Sequence, residues 1–284
     1  MKTRTKIWLG VGVAVMTGAG ATQAGPAPHD ALAGARTQPA GAAHVLLAAR
    51  KGGGEAGEAG EEGGPKGAET SLPPELDFAL KLSQIRGHLL VGDELVKMGE
   101  WKAATTHFAH PGEELYGPIR GYLREYKIAP FEAALRQLAN AVKARKSGEE
   151  YAKAWAQIDQ ALSATEAAVK GKQTDWPTFQ LETAIELAKS AAGEYGESIK
   201  RGRVTNVVEY QDARGFIGQA EKMIESVAPE LEKKDAEALA KLRQALAELK
   251  KDLPSPMPPK TPPAEVGKLL GNIARLELAA GKLM

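Results

Sequence analysis

Residues 74–110 read PELDFALKLSQIRGHLLVGDELVKMGEWKAATTHFAH, and this stretch decides the fold. Phe78, Leu82, Ile85, Leu89 and Val96 recur at helical spacing on one face. Pro74 suits the opening of a helix, and Gly99 suits the left-handed residue that closes one. A second helical pattern begins at Trp101. The stretch therefore predicts two antiparallel helices folded back at Gly99.

The same reading extends to the C-terminus. Ala, Leu, Glu, Lys and Gln dominate, and no stretch shows sustained strand alternation. Pro111 and Pro118 are expected to bend the second helix, which runs to about Tyr126. Breakers then mark helices over 130–147, 149–170, 175–200, 205–227, 229–253 and 264–283. Asp175 or Thr174 caps the fifth, and a Pro-rich linker at 254–263 precedes the last. The fold class is all-α: about eight antiparallel helices, in one bundle or in two pseudo-repeated four-helix bundles.

Outward in the other direction, residues 1–24 read as a signal peptide. Lys2, Arg4 and Lys6 precede an apolar run over 7–16 that is too short to span a bilayer, and small residues follow it. Residues 25–71 are Gly, Ala, Pro and Glu, with too little apolar surface to offset their ordering entropy, so disorder is expected there. The helical domain then occupies 72–284. The expected location is periplasmic or secreted, with no membrane span after cleavage. Losing the three leader cations takes the formal net charge from +1 to −2, a balance that favours no nucleic acid.

The chain has no Cys, which excludes disulfides and thiolate metal ligands. It has five His residues. His29 and His44 fall in the low-complexity stretch, and His88, His107 and His110 fall on the first hairpin. His107, His110 and Glu114 share one helical face, and Glu113 stands three residues after His110. His88 and His110 each lie 11 residues from Gly99, so equal arms bring them level. A weaker echo follows a hundred residues on: a helix ends at Gly202, and the next carries Glu209 and Asp212 at i, i+3. His88, His107, His110, Glu113, Glu209 and Asp212 are therefore the candidate metal ligands. Imidazole and carboxylate groups between helices suit a divalent Fe or Cu ion, with Zn as another fit.

The run His110-Pro111-Gly112-Glu113 resembles the His-x-x-Glu motif of the imelysin-like proteins, which are exported helical bundles that also occur in periplasmic iron uptake. The resemblance extends loosely over the 72–284 domain. It departs from the family at Phe108, where Gly is usual. It implies metal binding with His110 and Glu113 as ligands, and a periplasmic or membrane protein as partner. Peptidase chemistry is not expected: there is no His-Glu-x-x-His, no Gly-x-Ser-x-Gly and no Ser-x-x-Lys. An enzyme is therefore not the reading. The alternative is a tetratricopeptide-like interaction module without metal, carried by Gly92, Leu95, Ala104 and Phe108.

Overall fold

The computed structural model describes residues 72–259 and 261–284. The signal-peptide and low-complexity assignments, with His29 and His44, lie outside the described residues. The described chain is helical almost throughout. Its elements are α1 (Pro74–Lys97), α2 (Trp101–His110), a π-helical turn (Pro111–Leu115), α3 (Tyr116–Glu125), α4 (Glu132–Lys143), α5 (Glu149–Lys170), α6 (Trp176–Ser198), α7 (Val207–Ser226), α8 (Ala228–Asp252) and α9 (Val266–Ala280). Two short strands, β1 (Ile199–Lys200) and β2 (Arg203–Val204), form an antiparallel ribbon between α6 and α7. Since α2, the π turn and α3 run on as one bent rod, the expected count of about eight holds.

Local chemistry accounts for most boundaries. Gly99 and Gly202 take positive φ of 81° and 68° at the two hairpin bends, a conformation that costs a residue without Cβ little. Asp175 caps α6 by accepting from the Thr178 backbone N–H at 3.2 Å, with Pro177 in the first turn. The fourth helix starts at Glu132 instead of Pro130. The Phe131 backbone is non-helical (φ −122°, ψ 13°), and its N–H donates to the Tyr116 hydroxyl at 3.1 Å.

The buried side chains form two cores. One is built from α1 to α5, around Phe78, Phe108, Ile119, Leu138 and Ile158. The other is built from α6 to α9, around Tyr195, Tyr210, Phe216, Leu242 and Leu276. These last four helices constitute a four-helix bundle. Helix α1 packs against α2 and α5 and also against α6 and α7, so it joins the two cores.

Its crossing with α7 is close. A Cβ on Gly215 would stand 2.3 Å from the Gly87 carbonyl oxygen, and one on Gly87 would stand 2.5 Å from Phe216 Cδ1. Only glycine at both positions lets the backbones approach so far. Arg214 on α7 pairs with Glu94 on α1 at 2.6 and 2.8 Å, and Arg86 on α1 pairs with Asp159 on α5 at 2.8 Å and also with Glu166. Gly92 receives the Phe108 ring, which would lie 2.6 Å from a Cβ there. That contact sets α2 against α1 and fixes the level of the histidines.

Candidate metal centre

Three elements converge beside the Gly87–Gly215 crossing. His88 follows Gly87 on α1, His107 and His110 lie in the last turn of α2, and Asp212 stands one turn before Gly215 on α7. The Nδ1 atoms of His88 and His107 lie 2.7 and 2.8 Å from the same oxygen, Asp212 Oδ1. His110 Nδ1 lies 3.8 Å from the other oxygen, Oδ2. The ring centroids of His88 and His110 are 5.3 Å apart, and those of His88 and His107 are 6.3 Å apart. Ligand atoms of His88, His107 and Asp212 all fall within 4.8 Å of one another. All three histidines among the described residues thus surround one carboxylate.

The centre is nearly sealed. His107 is 0%, Asp212 1% and His88 4% exposed, and the Phe216 ring meets His88 edge-on at 5.1 Å. Burying a carboxylate is costly unless charge or hydrogen bonds compensate it. Burial by itself pushes the Asp212 carboxyl up. The charge of His88 close by, the hydrogen bond with His107, and the charge of His107 outweigh that effect and hold it far below the usual carboxylate range. Every ion pair of Asp212 among the described residues is with an imidazole. Asp212 therefore keeps a full negative charge among nitrogen donors, a set that a positive ion completes.

The second nitrogen of His107 is also engaged. Its Nε2 lies 2.8 Å from the Gln211 Oε1 atom. Gln211 is buried beside Asp212, and its amide nitrogen lies 3.8 Å from Met257 Sδ in the segment after α8. Sequence spacing had no signal for Gln211, because an amide beside an aspartate is neither scarce nor at a ligand spacing of its own.

Two of the expected ligands are not brought to this centre. Glu113 is exposed on the π turn. Pro111 has no N–H to donate, and the Tyr116 N–H instead reaches back five residues to the Pro111 carbonyl. That wider turn breaks the superposition of residues three apart on which the His110–Glu113 pairing rested. Glu209 is buried, but it belongs to a different group with Glu194 and Glu197, whose carboxylate oxygens lie within 4.8 Å of one another. Asn206 Nδ2 donates to Glu209 Oε1 at 3.2 Å. Asp212 alone of the α7 pair reaches the histidines, because Glu209 faces Glu194 and Glu197 on α6.

Residues 170–280 match the model of the iron permease-associated 4-helix bundle domain. The matched span covers fewer than half of the 284 residues and coincides with the bundle α6 to α9. It contains Gln211 and Asp212, whereas His88, His107 and His110 precede it. The match supports a helical, iron-related family and does not single out the imelysin-like proteins. No curated protein and no solved structure gives a significant match to the chain.

Proposed function

We propose that this chain is an exported, periplasmic metal-binding protein that takes part in acquiring or handling iron or copper. The observation that carries this reading is the meeting of His88, His107 and His110 on the buried Asp212 carboxylate. Two imidazoles and one carboxylate on a face, with a third imidazole at the edge, suit Fe(II), Cu(II) and Zn(II). The absence of Cys from the chain removes the thiolate chemistry that would favour softer ions. The iron permease-associated domain model over 170–280 favours iron as cargo and a membrane protein as the partner that passes it on.

His88, His107 and Asp212 are assigned as the inner ligands, with His110 able to close on the ion from the end of α2. Binding and release fit the sealed site better than turnover of an organic substrate does. The export assignment rests on the leader pattern at 1–24 and is checked by fractionating the cells that make the protein. Finding the full-length chain in the cytoplasm would refute it.

Calorimetric titration tests the metal assignment. Anaerobic Fe(II), Cu(II) or Zn(II) should bind the wild-type chain at one equivalent, and His107→Ala should weaken binding by roughly 100-fold or more. Equal binding by the two proteins would remove the assignment.

A further inference from the structure

His107 stands between two oxygen atoms, each of which can only accept. Asp212 Oδ1 lies 2.8 Å from its Nδ1, and Gln211 Oε1 lies 2.8 Å from its Nε2. A neutral imidazole carries a single N–H, so it can donate to one of the two. A cation that displaces the Nδ1 proton shared with Asp212 leaves the remaining proton on Nε2, donated to Gln211, with the Nδ1 lone pair free to face the ion. That is the orientation in which Nδ1 can ligate a cation.

We propose that Gln211 is a positioning residue for the metal centre: its carboxamide oxygen holds the His107 Nε2–H and so presents Nδ1 as a ligand. The proposal rests on His107 being a metal ligand. Metal-bound histidines commonly donate their other N–H to a carbonyl or carboxylate, which fixes both tautomer and ring angle. Gln211 is 1% exposed, so water does not readily take its place. Its own direction is also set. The amide nitrogen lies 3.8 Å from Met257 Sδ, and a thioether sulfur accepts weakly but cannot donate. The NH2 therefore belongs on the Met257 side and the oxygen on the His107 side. A flipped amide would set its oxygen against the sulfur. The segment between α8 and α9 is thus linked to the buried centre through one side chain.

The test uses the full chain with two probe ions. Zn(II) affinity is measured by competition with a chelator. With Co(II) bound, the His107 Nε2–H is followed by proton NMR as a hyperfine-shifted, solvent-exchangeable resonance. Gln211→Leu removes the acceptor at similar size, and Gln211→Glu keeps it. The expected result is a Zn(II) affinity roughly 10- to 100-fold lower in Gln211→Leu, with its Nε2–H lost to fast exchange. In Gln211→Glu both properties should match or exceed wild type.

Wild-type affinity with a protected Nε2–H in Gln211→Leu would overturn the proposal. So would a Gln211→Glu variant as weak as Gln211→Leu. Should Gln211→Leu fail to fold, Met257→Leu at the exposed end of the same contact serves instead. It should speed exchange of the His107 proton, and unchanged exchange would count against the proposal. A wild-type chain that binds neither ion would sink the metal reading itself, whereas normal wild-type binding with an unaffected Gln211→Leu would sink only the role of Gln211.

Discussion

Asp212 is the residue on which the centre turns. It is buried, it stays ionised, and among the described residues its ion pairs are all with imidazoles. Asp212→Asn keeps the shape and removes the charge. Metal affinity should then fall by roughly 100-fold or more, and the metal-free protein should lose on the order of 3 kcal/mol in urea unfolding, because two buried imidazoles lose the anion they share. A variant with wild-type affinity would show that Asp212 is a structural carboxylate and nothing more. The residue scale is also where sequence reading reached its limit. Scarcity and spacing singled out His88, His107, His110 and Asp212, which the fold brings together; the equal arms about Gly99 and the His107–His110 step survive folding, whereas the Glu209–Asp212 step does not bring both carboxylates to the histidines. Glu113 is not brought to the histidines because the π turn was not visible in the pattern, and Gln211 was missed because an amide next to an aspartate carries no periodic mark.

At the scale of elements, the decisive contact is the crossing of α1 and α7. The Gly215 Cβ position is occupied by backbone, the Gly87 carbonyl, which has no side-chain freedom to yield. Gly215→Ala should force the helices apart, cost about 2 kcal/mol of stability, and draw Asp212 away from His88. Thermal melts and a metal titration read the two effects together, and a fully stable, fully binding variant would contradict the geometry. Gly121 is the contrast. It lies within α3 and a Cβ there would meet nothing within 4 Å. Gly121→Ala should therefore stabilise the protein by about 0.5–1 kcal/mol through helix propensity and leave binding unchanged. A lower melting temperature would show that the α3 surface is occupied. Most helix limits were legible, because breakers act locally. The expected segment 149–170 is α5 as observed, and Asp175 caps α6. The start of α4 was not legible, since a tertiary hydrogen bond to Tyr116 holds Phe131 out of the helix.

Over the whole molecule, the centre is divided between two cores. Asp212 comes from the four-helix bundle α6 to α9, and the histidines come from helices that pack in the other core. Antiparallel pairing and the Gly99 and Gly202 hairpins were readable in advance. A division into two halves was one of the two arrangements the pattern allowed; that α1 packs against both cores was not legible, since it depends on tertiary packing. Two consequences follow. Residues 170–280 made alone should be helical by circular dichroism and bind metal at least about 100-fold more weakly than the full chain, because they lack all three histidines. Equal affinity would place the metal elsewhere in the bundle. In the full chain a bound ion bridges the two cores, so free ion at about 100 times Kd should add about 2.7 kcal/mol of stability, a gain absent from His107→Ala. The most direct test is a crystal structure of the metal-loaded full chain, with the ion located by anomalous scattering. The account predicts one ion within about 2.0–2.2 Å of an imidazole nitrogen of His88 and of His107 and a carboxylate oxygen of Asp212. An ion held by Glu194, Glu197 and Glu209 with the histidines unligated, or no ion at all, would contradict it.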